Sequence, residues 1–319
     1  MNRTPIIVLK TLGLLFISAL QTLHANAASG TSPPEEKIAE PVTQTSARAL
    51  PDLAEQRRQQ LRHQYPQDEL QELKAAGETF STLWKRELSG QAYGAVLILP
   101  GEGQTANWPE LIEPMRNKLP STGWSTLAID LLTPTPSAIP ARAAEKNAAP
   151  AGASAENTAQ TDTQPTASIN QKRTEAALSF LNQQGQYNIV VVAFGNSAAR
   201  MLNSLSSADG GRKNKEQRQV RALVIINPES DGTTPVDSTL KRFAHPSMPI
   251  LDLIVGDAQA AVKRAELRRA AAAEARIETY ISLQLLTPGP AIFENENLLS
   301  RRVRGFLVKH AKGVEVDRR

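Results

Sequence analysis

Downstream of residue 90 the chain alternates between two kinds of hydrophobic pattern. Short runs of aliphatic and β-branched residues recur as AVLILP (95–100), WSTLAID (124–130), NIVVVAF (188–194), ALVIIN (222–227), ILDLIVG (250–256) and YISLQLL (280–286). They are apolar at nearly every position, which is the pattern of strands covered on both faces. Between them lie segments with helical spacing: WPELIEPMRNKL (108–119), SAARMLNSL (197–205), AQAAVKRAELRRAAAAEAR (258–276) and NLLSRRVRGFLVKHAK (297–312). Pro114 is expected to kink the first of these, because proline removes a helical donor and clashes with the preceding turn. Strands separated by helices predict an α/β fold with a mostly parallel, doubly wound sheet.

Upstream the pattern changes. ELQELK (69–74) and TFSTLWKREL (79–88), separated by the Gly-containing AAGE, predict an antiparallel hairpin with Phe80, Leu83 and Trp84 turned toward the core. DLAEQRRQQLRH (52–63) predicts a short polar helix with Asp52 in position to cap it. Two stretches carry no period. Residues 28–50 are rich in Ala, Ser, Thr, Pro and Glu and predict a disordered leader. Residues 133–167 are rich in Ala, Thr and Pro and predict a low-complexity, disordered insertion in a domain that spans 51–319.

The first 27 residues predict a cleaved secretory signal: Arg3 and Lys10, an apolar run from Leu12 to Leu23, then Ala25-Asn26-Ala27. The apolar run is too short to span a bilayer, so the expected location is exported, periplasmic, with no transmembrane span after cleavage. The chain has no cysteine, which excludes thiol catalysis, disulfides and cysteine metal sites. Its formal charge is +4, of which Arg3 and Lys10 contribute two. The remainder is too small and too interspersed to argue for a nucleic-acid partner. No dinucleotide fingerprint, phosphate-binding loop or zinc-spaced histidine pair occurs, so no cofactor and no metal is expected.

From residues 79 to 312 the order of elements resembles the α/β hydrolases. AVLILPGEGQ looks like that fold's early strand and oxyanion loop, NIVVVAFGNSAARML like its strand, nucleophile elbow and helix, and PILDLIVGD like the strand before its acid. More narrowly, the chain is similar to a family of uncharacterised, secreted bacterial proteins with this fold. The resemblance implies a serine nucleophile, a histidine base and an acid at set places. Two elbow registers are open. In one, Gly195-Asn196-Ser197-Ala198-Ala199 is the elbow and Ser197 the nucleophile. In the other, Gly195 occupies the nucleophile's place and Ser197 falls at the start of the helix. Asp257 stands near the acid's position and also reads as a helix cap, while Asp252 lies within its strand, where it would pair with a buried group. The loop where the fold keeps its base, TPGPAIFENENL, has no histidine. His63 is expected to be solvated, His245 to lie at the far edge of the sheet, and His310 on the surface, about 20 Å from its helix start. The base is therefore unknown. Gly101, Glu102 and Gly103 form the candidate oxyanion loop, with Gly195 and Asn196 facing it. The expectation is a hydrolase fold with a degenerate triad, binding a small acyl or peptide-like ligand in the cell envelope. The alternatives are a weak serine esterase using Ser197, and an interaction protein whose segments 28–50 and 133–167 do the binding.

Overall fold

Each central strand alternates its side chains between two apolar layers. Ala95, Leu97 and Leu99 of one strand enter one layer, and Val96 and Ile98 the other. This is the burial that an uninterrupted apolar run requires. The computed structural model describes residues 53–101, 104–132, 166–207, 219–230, 232, 234–287 and 296–312. The predicted signal (1–27), the leader (28–50) and the insertion up to residue 165 lie outside the described residues, as do Glu102 and Gly103.

The strands are β1 (Leu70–Ala75), β2 (Glu78–Lys85), β3 (Gly94–Leu99), β4 (Trp124–Ile129), β5 (Ile189–Phe194), β6 (Val220–Ile226), β7 (Ile250–Val255) and β8 (Tyr280–Leu285). They form one sheet in the order β1-β2-β4-β3-β5-β6-β7-β8. The β1–β2 and β2–β4 pairs are antiparallel, and every pair from β4 to β8 is parallel. The helices are α1 (Leu53–Gln64), α2 (Glu113–Lys118), α3 (Thr166–Gln183), α4 (Gly195–Ser207), α5 (Val236–Lys241), α6 (Gln259–Glu274) and α7 (Leu298–Phe306), the last continued by a π turn, Leu307–Ala311. This is the mixed, mostly parallel sheet of an α/β-hydrolase-like fold, with its N-terminal antiparallel hairpin. Strand order reverses at β3, which has β4 on one side and β5 on the other. In open α/β sheets ligands bind at the carboxyl ends of such strands.

Three elements differ from the sequence reading. The helix expected over 108–119 is reduced to α2, with Pro114 in its first turn rather than at a kink. A proline there loses no hydrogen bond, so the helix begins at it instead of bending around it. Helix α3 was not foreseen: its first residues, Thr166 and Ala167, fall in the expected insertion. Helix α6 is capped at Ala258 without a side-chain bond, so Asp257 does not act as its cap.

Two buried ion pairs brace the fold from inside. Asp252, fully buried on β7, accepts from Arg268 Nε at 2.9 Å and Nη2 at 3.0 Å, and from Tyr280 Oη at 2.7 Å. Burial, with the Asp252 charge beside it, pushes the Tyr280 phenol well above its ordinary pKa and keeps it a donor. On the other side, the buried Arg116 of α2 reaches Glu69 at 2.7 Å and Glu113 at 3.1 Å and so fastens the hairpin to the domain. Removing one member of a buried pair strands the other charge. Arg268→Met is therefore expected to lower stability by about 3–5 kcal/mol, and adding Asp252→Leu to recover part of that loss. Urea unfolding followed by tryptophan fluorescence measures both.

Candidate functional site

The switch point of the sheet is built from two adjoining turns. At the end of β5, Phe194 is buried and Gly195 opens α4 with φ +52°. That left-handed conformation is cheap only for glycine. A β-carbon built on Gly195 would point at the Cα of Gly101, 3.7 Å away, in ordinary contact. The turn after β3 and the turn after β5 therefore face each other, as a nucleophile elbow faces an oxyanion loop. The residue at the apex of the elbow has no side chain.

Ser197 sits two residues further on, in the first turn of α4. It is buried, and its hydroxyl donates to the Pro100 carbonyl at 2.6 Å. The bond ties the helix start to the turn after β3. Asn196, beside it, is buried too. The Gly101 N–H, which an oxyanion would need, donates at 2.9 Å to the side-chain oxygen of Gln104. Asp130, at the end of β4, accepts from the Ala106 N–H at 2.8 Å and lies 3.5 Å from Arg57 of α1. Asn107 bonds both Arg57 and Gln64 of the same helix. The described part of the loop is thus held by α1 and β4, with Gly101 turned onto its own loop.

The histidines lie elsewhere. His245 precedes β7, so it stands at the amino-terminal edge of the sheet; it is buried with its ring edge-on to Phe243. His310 belongs to the π turn. The next carbonyl, Ala311, accepts from Asn188, the residue before β5. That places His310 at the amino-terminal edge as well, one strand length or about 20 Å from the elbow. It is half-buried against Phe306, and its Nε2 has no hydrogen-bond partner among the described residues. Burial, with Lys309 alongside, lowers its pKa. His63 is exposed at the end of α1. Asp257 is exposed beyond β7. Asp252 is level with Ala193 of β5, two strands away, and both its oxygens are engaged. The described residues thus bring together Gly101, Gly195, Asn196 and Ser197, with the exposed Glu229 beside them, its N–H donating to the Gly195 carbonyl at 3.1 Å; none of the described histidines joins them.

The sequence reading missed what borders Ser197. Helix α3 runs beside α4, and a groove of about 680 Å³ separates them, lined among others by Leu99, Leu131, Leu178, Ser197, Arg200 and Met201. Asn170 of α3 bonds the Leu132 N–H and carbonyl at 2.8 and 2.9 Å, fixing the exit of β4 to this helix. The helical spacing of Ile169, Arg173, Ala177 and Leu181, with no Gly or Pro among them, was the signal available.

A family model described as "Protein of unknown function (DUF3530)" matches residues 9–309. The chain belongs to this family. No curated protein matches it. Solved structures similar to it include a dienelactone hydrolase from Anabaena variabilis (14% identity, TM-score 0.49, covering 76% of this chain and 99% of that one). An esterase from Pyrococcus furiosus (12%, 0.49, 76% and 90%) and Est1E from Butyrivibrio proteoclasticus (10%, 0.49, 76% and 98%) are similar to about the same degree.

The elbow of this DUF3530 member makes a prediction that separates backbone from side chain. Because the β-carbon at Gly195 has room, Gly195→Ala is expected to cost only the left-handed penalty, about 1–2 kcal/mol. Ser197→Ala is expected to cost about 1–3 kcal/mol, since it leaves the buried Pro100 carbonyl without its donor. Chemical denaturation of the two variants against the parent measures both.

Proposed function

We propose that this protein is a non-catalytic member of the α/β-hydrolase fold, exported to the periplasm by its N-terminal signal. There it holds a small acyl or peptide-like ligand at the carboxyl ends of the strands. The single observation that carries the reading is Gly195: the residue at the apex of the elbow has no attacking atom. The surroundings agree. A serine hydrolase needs a base within hydrogen-bond reach of its nucleophile and free donors for the oxyanion. Here the Gly101 N–H is engaged by Gln104, and Ser197 donates to a carbonyl rather than to an imidazole. Among the described residues no helix is long and apolar enough to cross a membrane, and no cluster of His, Asp and Glu is suited to a metal ion.

A second reading makes the protein a weak esterase with Ser197 as nucleophile. It is favoured by one observation, that Ser197 lines a groove able to admit a substrate. The two readings separate on p-nitrophenyl butyrate hydrolysis. The non-catalytic reading expects the folded protein to add nothing to the background rate, and Ser197→Ala to behave identically. Turnover that disappears in Ser197→Ala would replace it with the esterase.

A further inference from the structure

The groove between α3 and α4 lies where two helices rest on different strands of the sheet. The stripe of α4 that borders it is Ser197, Arg200, Met201 and Ser204, at the spacing of one helix face. Across from it, α3 presents Asn170, Thr174 and Leu178 at the same spacing. Helix α3 leans on β1, β3 and β4, and α4 on β5, β6 and α5, so the gap between the helices stays open. At about 680 Å³ it has the size of a small-molecule site. Leu99, at the end of β3, and Leu131, just after β4, add apolar walls at the carboxyl ends of the strands.

The larger polar groups of this groove are mostly committed, while the small hydroxyls of Ser168, Ser204 and Ser207 also line it. Asn170 is bonded to the Leu132 backbone, Thr174 to the Asn170 carbonyl at 2.9 Å, Ser197 to Pro100, and Asn203 accepts from Thr239 at 2.6 Å. Glu175, exposed at the rim, is occupied by Gln171 at 3.0 Å. Of the two charged residues that line it, Arg200 is the unpaired one. Its guanidinium has no hydrogen-bond or ion-pair partner among the described residues, and its Nε is buried. A half-buried arginine beside apolar walls gains most from an anion that brings its own hydrocarbon.

We infer that the α3–α4 groove binds an aliphatic carboxylate, with the acid group on Arg200 and the chain along Leu99, Leu131, Leu178 and Met201. A peptide fits less well, because most of its amides would meet those apolar walls, with only the small hydroxyls of Ser168, Ser204 and Ser207 to face them. The inference rests on the non-catalytic reading, in which the occupant is held and not turned over.

The test is displacement of dansylaminoundecanoic acid from the full-length protein by dodecanoate and by dodecan-1-ol. Dodecanoate is expected to displace the probe, and the alcohol about tenfold less well, the worth of a charge-assisted bond. Arg200→Gln should abolish that preference, and Ser204→Trp, at an exposed position lining the groove, should block both competitors. No saturable probe binding, equal competition by acid and alcohol, or an Arg200→Gln protein with its preference intact would each overturn the assignment. If Arg200→Gln fails to fold, the acid-over-alcohol preference and the Ser204→Trp block still decide the matter. Incubation with p-nitrophenyl dodecanoate keeps the two claims apart: release of p-nitrophenol would sink the non-catalytic reading, whereas loss of displacement sinks the groove.

Discussion

Between β5 and α4 the chain has to leave a fully buried strand and enter a helix within one residue, and it does so at Gly195 with φ +52°. Everything at the carboxyl edge is arranged around that turn. It brings Gly195 against Gly101, sets Ser197 under the Pro100 carbonyl and points the Arg200–Met201 face of α4 at α3. A serine at the apex would have to bear the strain of the left-handed region, as nucleophile elbows do. A glycine does not. The elbow here is relaxed, and that is hard to reconcile with a function that draws on strain.

The facing loop shows the same economy. In a working oxyanion hole the backbone donors are held ready and left vacant. The Gly101 N–H is instead satisfied by Gln104, while Asp130, Arg57 and Asn107 tie residues 106 and 107 to β4 and α1. Asp252 similarly serves stability, with Arg268 and Tyr280 saturating its oxygens in the interior. The Gly101 N–H and Asp252 are thus engaged in holding the fold together. An uncommitted charge lies one step away, at Arg200, in the groove beside α4.

The strands were legible because burial on both faces leaves a nearly unbroken apolar run, and such a run has few other readings. The hairpin was legible through Ala76-Gly77, whose positive φ values close the turn. Helix α3 was obscured by its neighbour: it follows directly on an Ala/Thr/Pro-rich stretch of the same small residues, so its start carries no change of composition. Helix α2 was overestimated because apolar spacing was read through Pro114, which in fact sets the helix start. At the elbow, two registers fit the same letters, and only the backbone distinguishes a residue at the apex from one in the first helical turn. Arg200 could not have been singled out at all, because whether an arginine is paired depends on which helices come to lie beside it.

The central claim is that the elbow keeps its shape without a nucleophile. The most direct measurement is the intact mass of the folded protein after incubation with a fluorophosphonate. The account predicts an unmodified mass. An adduct on Ser197, mapped by peptide sequencing and absent from Ser197→Ala, would contradict it.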